Sequence, residues 1–353
     1  MKLGQEDGTA NYEYVTARVR SRRSTLFDES DYRKLVRMGP SEIARFMEES
    51  EYEREMNALG TRFSGVDLIE YALNENLVKH FDDVLDWAEG KLYDYIARYL
   101  RKFDAWNVKT VIRGIYSGAT STEIDDDLIE AGELSDELLG RLVESNSIEN
   151  VIELLSGTLF GDALEDAYEL YEAEGILVPL ENAVDRAYYA NLQSNLPRNP
   201  NRAEKLYIEF VQAEVDFRNL RNALRIARSG ADIDPVEFYI EGGRLFDEDE
   251  LRQLANNPEE LVARVRDSTY GDELDEALTE LDGAQNLIGF EHALDAALLE
   301  YSHTLSNRYP LSVCPVLAYV LAKEREVDNI RAIARGREAG LSPEEIETEL
   351  VTV

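Results

Sequence analysis

Cysteine, histidine and lysine are all scarce in this chain, and each shortage closes off a class of function. The 353 residues hold one cysteine, Cys314, so no internal disulfide can form. It lies in an apolar run and reads as a small buried hydrophobe. Three histidines, His80, His292 and His303, with a single distant cysteine make no convincing metal set. Each reads as an isolated surface or interface side chain. Only 8 of the 37 basic residues are lysine, against 72 acids, and the formal net charge is −35. That balance argues against nucleic acid as a partner, because such binding rests on Lys and Arg contacts to phosphate. Long apolar runs are missing too. The most apolar stretch, Leu311 to Ala322, is 12 residues long and includes Pro315, whereas a membrane-spanning helix needs about 20. Met1 to Asn11 is polar and acidic and does not read as a signal peptide.

Catalytic patterns are absent together. A phosphate-binding loop needs glycines followed by Lys-Ser/Thr; the nearest spacing, Gly60 to Gly65, continues Val66-Asp67 without the lysine. No Gly-x-Gly-x-x-Gly, no Gly-x-Ser-x-Gly elbow and no Cys-His spacing occurs. Asp125-Asp126-Asp127 and Asp247 to Glu250 lack the alternation and central glycine of a calcium loop and read as first turns of helices. The expectation is no catalytic residue, no metal, no cofactor and no small-molecule substrate. Carboxylates are too numerous for paired acids to mark an enzyme site.

What is present is helix. Strand-like runs are scarce, and nearly the whole chain parses as amphipathic helix: 67–78, 81–103, 125–131, 163–173, 180–192, 202–228, 291–306 and 316–335. The fold class expected is all-α. Acids spread evenly along such helices do not form a disordered tail. They suit a cytoplasm of molar salt, where screening over about 3 Å removes most self-repulsion, so the sequence points to a halophilic source. One window is basic instead: Arg18, Arg20, Arg22, Arg23, Arg33, Lys34 and Arg37 outnumber Asp28, Glu29 and Asp31. It reads as a solvated helix pair or as a contact for an acidic partner or lipid headgroups. Tyrosine is abundant, at 19, and Tyr93, Tyr95, Tyr99, Tyr168, Tyr171, Tyr188 and Tyr189 read mainly as helix-packing residues.

The strongest signal is internal repetition. Asn107-Val-Lys-Thr-Val-Ile-Arg113 returns as Asn219-Leu-Arg-Asn-Ala-Leu-Arg225 and Asn329-Ile-Arg-Ala-Ile-Ala-Arg335, at spacings of 112 and 110 residues. Gly118, Gly230 and Gly340 each lie eleven residues past their Asn. Apolar residues follow the Asn at one helix face: Val108, Val111, Ile112 and Ile115; Leu220, Ala223, Leu224 and Ala227; Ile330, Ile333 and Ala334. Arg337 alone breaks the stripe. Each glycine reads as a helix stop and Thr120, Asp232 to Asp234 and Ser342 as the next N-caps. Leu159-Phe160-Gly161-Asp162 matches Thr269-Tyr270-Gly271-Asp272, each glycine 58 residues before its Asn. Phe63-Ser64-Gly65 reads as the first copy, only 42 residues ahead of Asn107, so by this spacing the first repeat is shorter by about 16 residues. Gly132-Glu-Leu-Ser-Asp136 matches Gly243-Arg-Leu-Phe-Asp247. A period near 110 is the size of a small domain, and the reading is three helical repeats, 12–120, 121–231 and 232–353. Asn107, Asn219 and Asn329, with Arg113, Arg225 and Arg335, are the interface candidates; the competing role for them is satisfying helix ends within each repeat.

Three stretches together carry a resemblance: Lys102 to Arg113, Glu214 to Arg221, and Tyr319-x-x-x-Lys323-Glu324-x-Glu326-Val-x-Asn329-Ile-Arg331. They resemble the C subunit of the archaeal A-type ATP synthase, a family similar to the d subunit of V-type ATPases, with Leu35 to Met38, Pro179 to Asn182 and Tyr309 to Ser312 in support. The resemblance runs from Tyr12 to Gly340, and the acidic surface suits a haloarchaeal member. It implies a pseudo-threefold funnel of three helical subdomains on the cytoplasmic face of the membrane proteolipid ring (the K subunit), whose socket holds the D and F subunits of the central stalk. It implies a non-catalytic rotor part of the whole A-type ATP synthase complex, peripheral to the cell membrane, that couples ring rotation to ATP production elsewhere. The alternatives are a helical scaffold with an unrelated partner and an enzyme with an unrecognised carboxylate site.

Overall fold

The computed structural model of the chain describes residues 10–194, 196, 199–229, 234–255, 257–272, 274–275, 278–279 and 288–351. Every regular element among them is helical. Short helices come first: α1 (Tyr12–Arg23), α2 (Glu29–Leu35), α3 (Pro40–Glu48) and α4 (Glu53–Leu59). Two long ones follow, α5 (Gly65–Trp87) and α6 (Lys91–Ser117). The pattern runs again through α7 (Ser121–Asp126), α8 (Asp136–Val143), α9 (Ile148–Leu155), α10 (Gly161–Glu174), α11 (Val178–Leu192) and α12 (Arg202–Ser229). A 3-10 turn, Pro235–Phe238, opens the last passage, with α13 (Glu248–Leu254), α14 (Pro258–Arg266), α15 (Ile288–Arg308), α16 (Cys314–Glu338) and α17 (Pro343–Glu347).

The chain divides into two compact units, Met1–Tyr93 with Val262–Val353, and Asp94–Leu261. In the first, α5 and α15 both pack on α16, and α1 lies against α16 and α5. Ile69, Leu73 and Phe81 of α5 and Val316, Leu317, Val320, Ile330 and Ile333 of α16 are completely buried there. In the second, α10 packs on α9 and α11, and the 3-10 turn rests on α12 and α13. Its core includes Leu142, Val151, Leu155, Phe160, Leu164, Val184 and Leu224. Each such side chain contributes about 1.5–3 kcal/mol by leaving water. This drives the folding of helices whose surfaces are otherwise acidic.

Helix ends follow the sequence signals closely. After α6 and α16 the chain turns at Gly118 (φ 75°) and Gly340 (φ 80°), where a side chain would be strained. Thr120 and Ser342 then cap α7 and α17, each in a capping box with Glu123 or Glu345. Asp234 caps the 3-10 turn through Val236 N–H. Gly230 and Asp232 lie outside the described residues. The apolar stripe is buried in all three copies at Val108, Val111 and Ile112, at Leu220, Ala223 and Leu224, and at Ile330, Ile333 and Ala334. Arg337 breaks that stripe to tie two carbonyls, Met38 O at 3.1 Å and Leu341 O at 2.8 Å.

Three sequence expectations need correction. The break between the two long helices falls at Ala88 to Gly90, not at residues 79–80, because Gly90 adopts φ 58°. The short helix near residue 125 is Ser121–Asp126, so Asp125 and Asp126 end it rather than begin it; at α13 the acids do form the first turn behind N-cap Asp247. His80 is buried, not a surface or interface residue. Cys314 is buried, as its apolar setting implies, and Tyr95, Tyr99, Tyr188 and Tyr189 are core residues.

Candidate functional site: recurring polar anchors on the long helices

The three repeated asparagines perform one operation three times. Asn107 on α6 donates from Nδ2 to Ile129 O (2.8 Å) and accepts from Ile129 N–H through Oδ1 (2.9 Å). Asn219 on α12 does the same to Ile240, at 2.8 and 2.9 Å. Asn329 on α16 does it to Val351, at 2.8 and 3.0 Å. An amide offers one donor edge and one acceptor edge side by side, so it pairs with a backbone N–H and C=O as a strand would. All three side chains are at most 2 % exposed. They hold the returning loop against its long helix, and their polar atoms face their own chain.

Three residues before each Asn stands an acid that sequence reasoning passed over: Asp104, Asp216 and Glu326. Asp104 accepts from Glu133 and Leu134 N–H, both at 2.9 Å. Asp216 accepts from Arg244 and Leu245 N–H, both at 2.8 Å. A methyl group on Gly132 or Gly243 would stand about 2 Å from the anchoring carboxylate oxygen, at 1.9 and 2.2 Å respectively, which is why both copies need glycine there. Burial raises the Asp104 carboxyl to about 6, against the opposing pull of the two N–H donors.

A further recurrence fixes the register of the repeats. Ser50 Oγ donates to Met47 O (2.7 Å) and accepts from Tyr52 N–H (3.3 Å). Thr158 links Leu155 O and Phe160 N–H, and Ser268 links Val265 O and Tyr270 N–H, in the same way. Tyr52, Phe160 and Tyr270 are all buried. Ser312 makes the same turn, but there Cys314 stands where the three copies carry a buried ring; turn and ring together match Phe160-Gly161 to Tyr52-Glu53 rather than to Ser64-Gly65. Tyr52 precedes its Asn by 55 residues and Phe160 by 59, so the first copy is about 4 residues short rather than 16.

The acid of the third copy binds differently. Glu326 accepts from Phe27 N–H (2.5 Å), Tyr52 O–H (2.7 Å) and Lys323 Nζ (2.7 Å), and Lys323 also donates to Tyr52 Oη (2.9 Å). Lys323 is fully buried, and burial holds its ammonium below the ordinary lysine range. Tyr52 is pushed well above the usual phenol value by burial and by the Glu326 charge. One helical turn away, Tyr319 Oη meets His80 Nδ1, and His80 Nε2 meets Arg22 at 2.9 Å. Burial and the neighbouring cations depress His80 to about 2, so it stays neutral. Arg22 can only donate, which leaves the imidazole proton on Nδ1, directed at Tyr319.

Arg113, Arg225 and Arg335 are exposed. Arg113 pairs with Glu181 of α11 (2.5 Å), one turn from Lys109 and Asp185 (2.5 Å). Arg335 pairs with Glu70 of α5 (2.6 Å from its second nitrogen), one turn from Arg331 and Asn74 (2.8 Å). The basic window is partly neutralised: Arg22 binds Asp83 at 2.5 Å, Lys34 binds Asp31 at 2.9 Å, and Arg33 lies 3.6 Å from Glu29. Among the described residues no group of three or more His, Cys, Asp or Glu is arranged to hold a metal ion, and no helix is long and apolar enough to cross a membrane.

The protein-family model described as "ATP synthase (C/AC39) subunit" matches residues 15–349, a span that contains every anchor above. The chain belongs to that family. Within the C/AC39 family it is 67 % identical over 344 residues to the A-type ATP synthase C subunit of Haloferax volcanii, covering 98 % of both chains. It is 62 % identical to that of Haloquadratum walsbyi over 97 % of this chain and 99 % of the relative. The similarity persists at 36 % identity to the C subunit of Methanococcoides burtonii, over 99 % and 96 %. Haloarchaeal C/AC39 relatives thus stand well above the methanogen in identity, in keeping with the acidic composition.

Proposed function

We propose that the chain is the non-catalytic rotor component that joins the membrane proteolipid ring (the K subunit) to the D and F subunits of the central stalk of an A-type ATP synthase. In this reading it carries rotation driven by an ion gradient to the sites of ATP synthesis, and sits peripherally on the cytoplasmic face of the membrane. The observation that carries the reading is the full-length 67 % identity to an A-type ATP synthase C subunit. The structure supports it in kind: long helices, each pinned to its return loop by a buried Asn, resist bending better than loops would. We further propose that repeats 12–120, 121–231 and 232–353 form the three subdomains of a pseudo-threefold funnel. Arg113, Arg225 and Arg335 are the contact residues of choice, since they are exposed while the three Asn are buried.

Sedimentation tests the ring side. Membranes carrying the proteolipid ring should retain the purified chain in multimolar KCl, and protein-free vesicles of the same lipid should not. A chain left in the supernatant with ring-bearing membranes would favour a helical scaffold serving an unrelated partner.

A further inference from the structure

The first two anchoring acids hold residues that follow them closely in the chain, 29–30 positions after Asp104 and 28–29 after Asp216. Glu326 instead takes its backbone N–H from Phe27, 299 positions earlier. What comes next matches as well. The acid-bound Leu134 is followed directly by N-cap Ser135 and α8, Phe27 directly by N-cap Asp28 and α2, and Leu245, after one further residue, by N-cap Asp247 and α13. The segment Phe27–Leu35 therefore occupies, beside α16, the place that Leu134–Val143 occupies beside α6. We infer that the third repeat is completed by the N-terminal segment, and that Lys323, Glu326 and Tyr52 form a clasp closing this non-covalent seam.

The chemistry at the seam fits a clasp. At the first two anchors the polypeptide runs from the Asn-bound residue straight to the acid-bound residues, over four or five positions. At the third it does not, and side-chain donors stand where the second backbone N–H binds in the other copies. The acid is a longer glutamate, joined by a buried lysine and a tyrosine hydroxyl, and a charged acceptor binds N–H and O–H donors more tightly than a neutral one. The Lys323 ammonium lies 4.2 Å from the centre of the Tyr52 ring, and the Phe27 ring meets Tyr52 and Phe46 edge-on at 5.9 and 5.4 Å. Helix α1 packs along α16 and α5 and leads the chain to Phe27, so residues 12–35 act as a strap across the seam. Breaking a buried pair by removing one partner leaves the other charge unpaired; replacing both by apolar residues of similar size does not. The clasp needs neither stalk nor ring and stands apart from the rotor reading.

Hydrogen exchange on the full chain in multimolar KCl tests it. Glu326→Gln keeps the shape but removes the charge that Phe27, Tyr52 and Lys323 share. Exchange at Phe27 and through α2 should rise by about 30-fold, equivalent to about 2 kcal/mol at 1.4 kcal/mol per factor of ten, while Ile240 in the second unit is unchanged. The paired variant Lys323→Met/Glu326→Met removes both charges and should remain folded, with the Phe27 amide released to a similar degree. Asp104→Asn, as control, should release Glu133 and Leu134 and leave Phe27 protected. A folded paired variant whose Phe27 amide exchanges at the parent rate would overturn the clasp. So would one in which all regions loosen equally.

Discussion

Removing the Asn219 amide should open one loop and little else. In Asn219→Ala the N–H and C=O of Ile240 lose their partners at 2.9 and 2.8 Å, in a setting where Asn219 is 1 % and Ile240 3 % exposed. A buried polar group left without a partner costs about 1–3 kcal/mol. Two such groups, partly relieved by loop movement, give about 2–4 kcal/mol. Expressed as opening of the loop, that is roughly a 30-fold to several-hundred-fold faster exchange of the Ile240 amide. The assay is amide exchange resolved at Ile240, with Val351, held by Asn329 in the first unit, as the internal reference. A rise below about three-fold in a folded variant would refute the reasoning, because another group or water would then be serving Ile240. If that same variant also failed to bind the stalk pair, Asn219 would act at an interface directly.

Other expectations follow from the same geometry. Asp104 binds its proton more tightly folded, at about 6, than at its ordinary 3.8. Its contribution to stability is therefore fully present below about pH 4 and lost as pH rises through 6. The difference in unfolding free energy between parent and Asp104→Asn, followed from pH 4 to 8, should move against the parent by up to about 3 kcal/mol; a flat difference contradicts the assignment. Dialysis from multimolar KCl into dilute buffer should cost much of the helical circular-dichroism signal, because a net charge of −35 repels itself over about 10 Å or more once salt falls to 0.1 M; full helicity in dilute buffer removes the halophilic reading. Charge reversal of Arg113, Arg225 and Arg335 to Glu should leave each unit folded, since exposed ion pairs contribute only about 0–1 kcal/mol. It should weaken stalk binding at least ten-fold by titration calorimetry, and unchanged affinity would remove these residues as contacts.

Much of the fold was legible because local rules wrote it. The Asn spacing, the apolar stripe, the glycine stops and the capping residues Thr120 and Ser342 each act within one or two helical turns, where sequence pattern and physics coincide. The register of the first repeat was not legible. Phe63-Ser64-Gly65 looks more like Leu159-Phe160-Gly161 than Glu51-Tyr52-Glu53 does, and the match comes from the hydroxyl turn of Ser50, Thr158 and Ser268 together with the buried ring two residues on. The acids Asp104, Asp216 and Glu326 could have been found, for each stands three residues before its Asn. In a chain with 72 acids they did not stand out. The tyrosines that Lys323 and His80 meet, Tyr52 and Tyr319, lie more than 230 positions from them, and no local pattern encodes a contact across that distance. Buried asparagines on a repeated helix face look like surface contacts until the returning loop that takes both edges of the amide is seen.

The most direct test of the rotor reading is assembly. The purified chain is mixed in multimolar KCl with the D and F pair of the central stalk and run on size-exclusion chromatography with light scattering. A single ternary peak is expected, with a mass corresponding to one copy of each component. Separate elution of the chain and the stalk pair at micromolar concentrations would contradict the rotor reading.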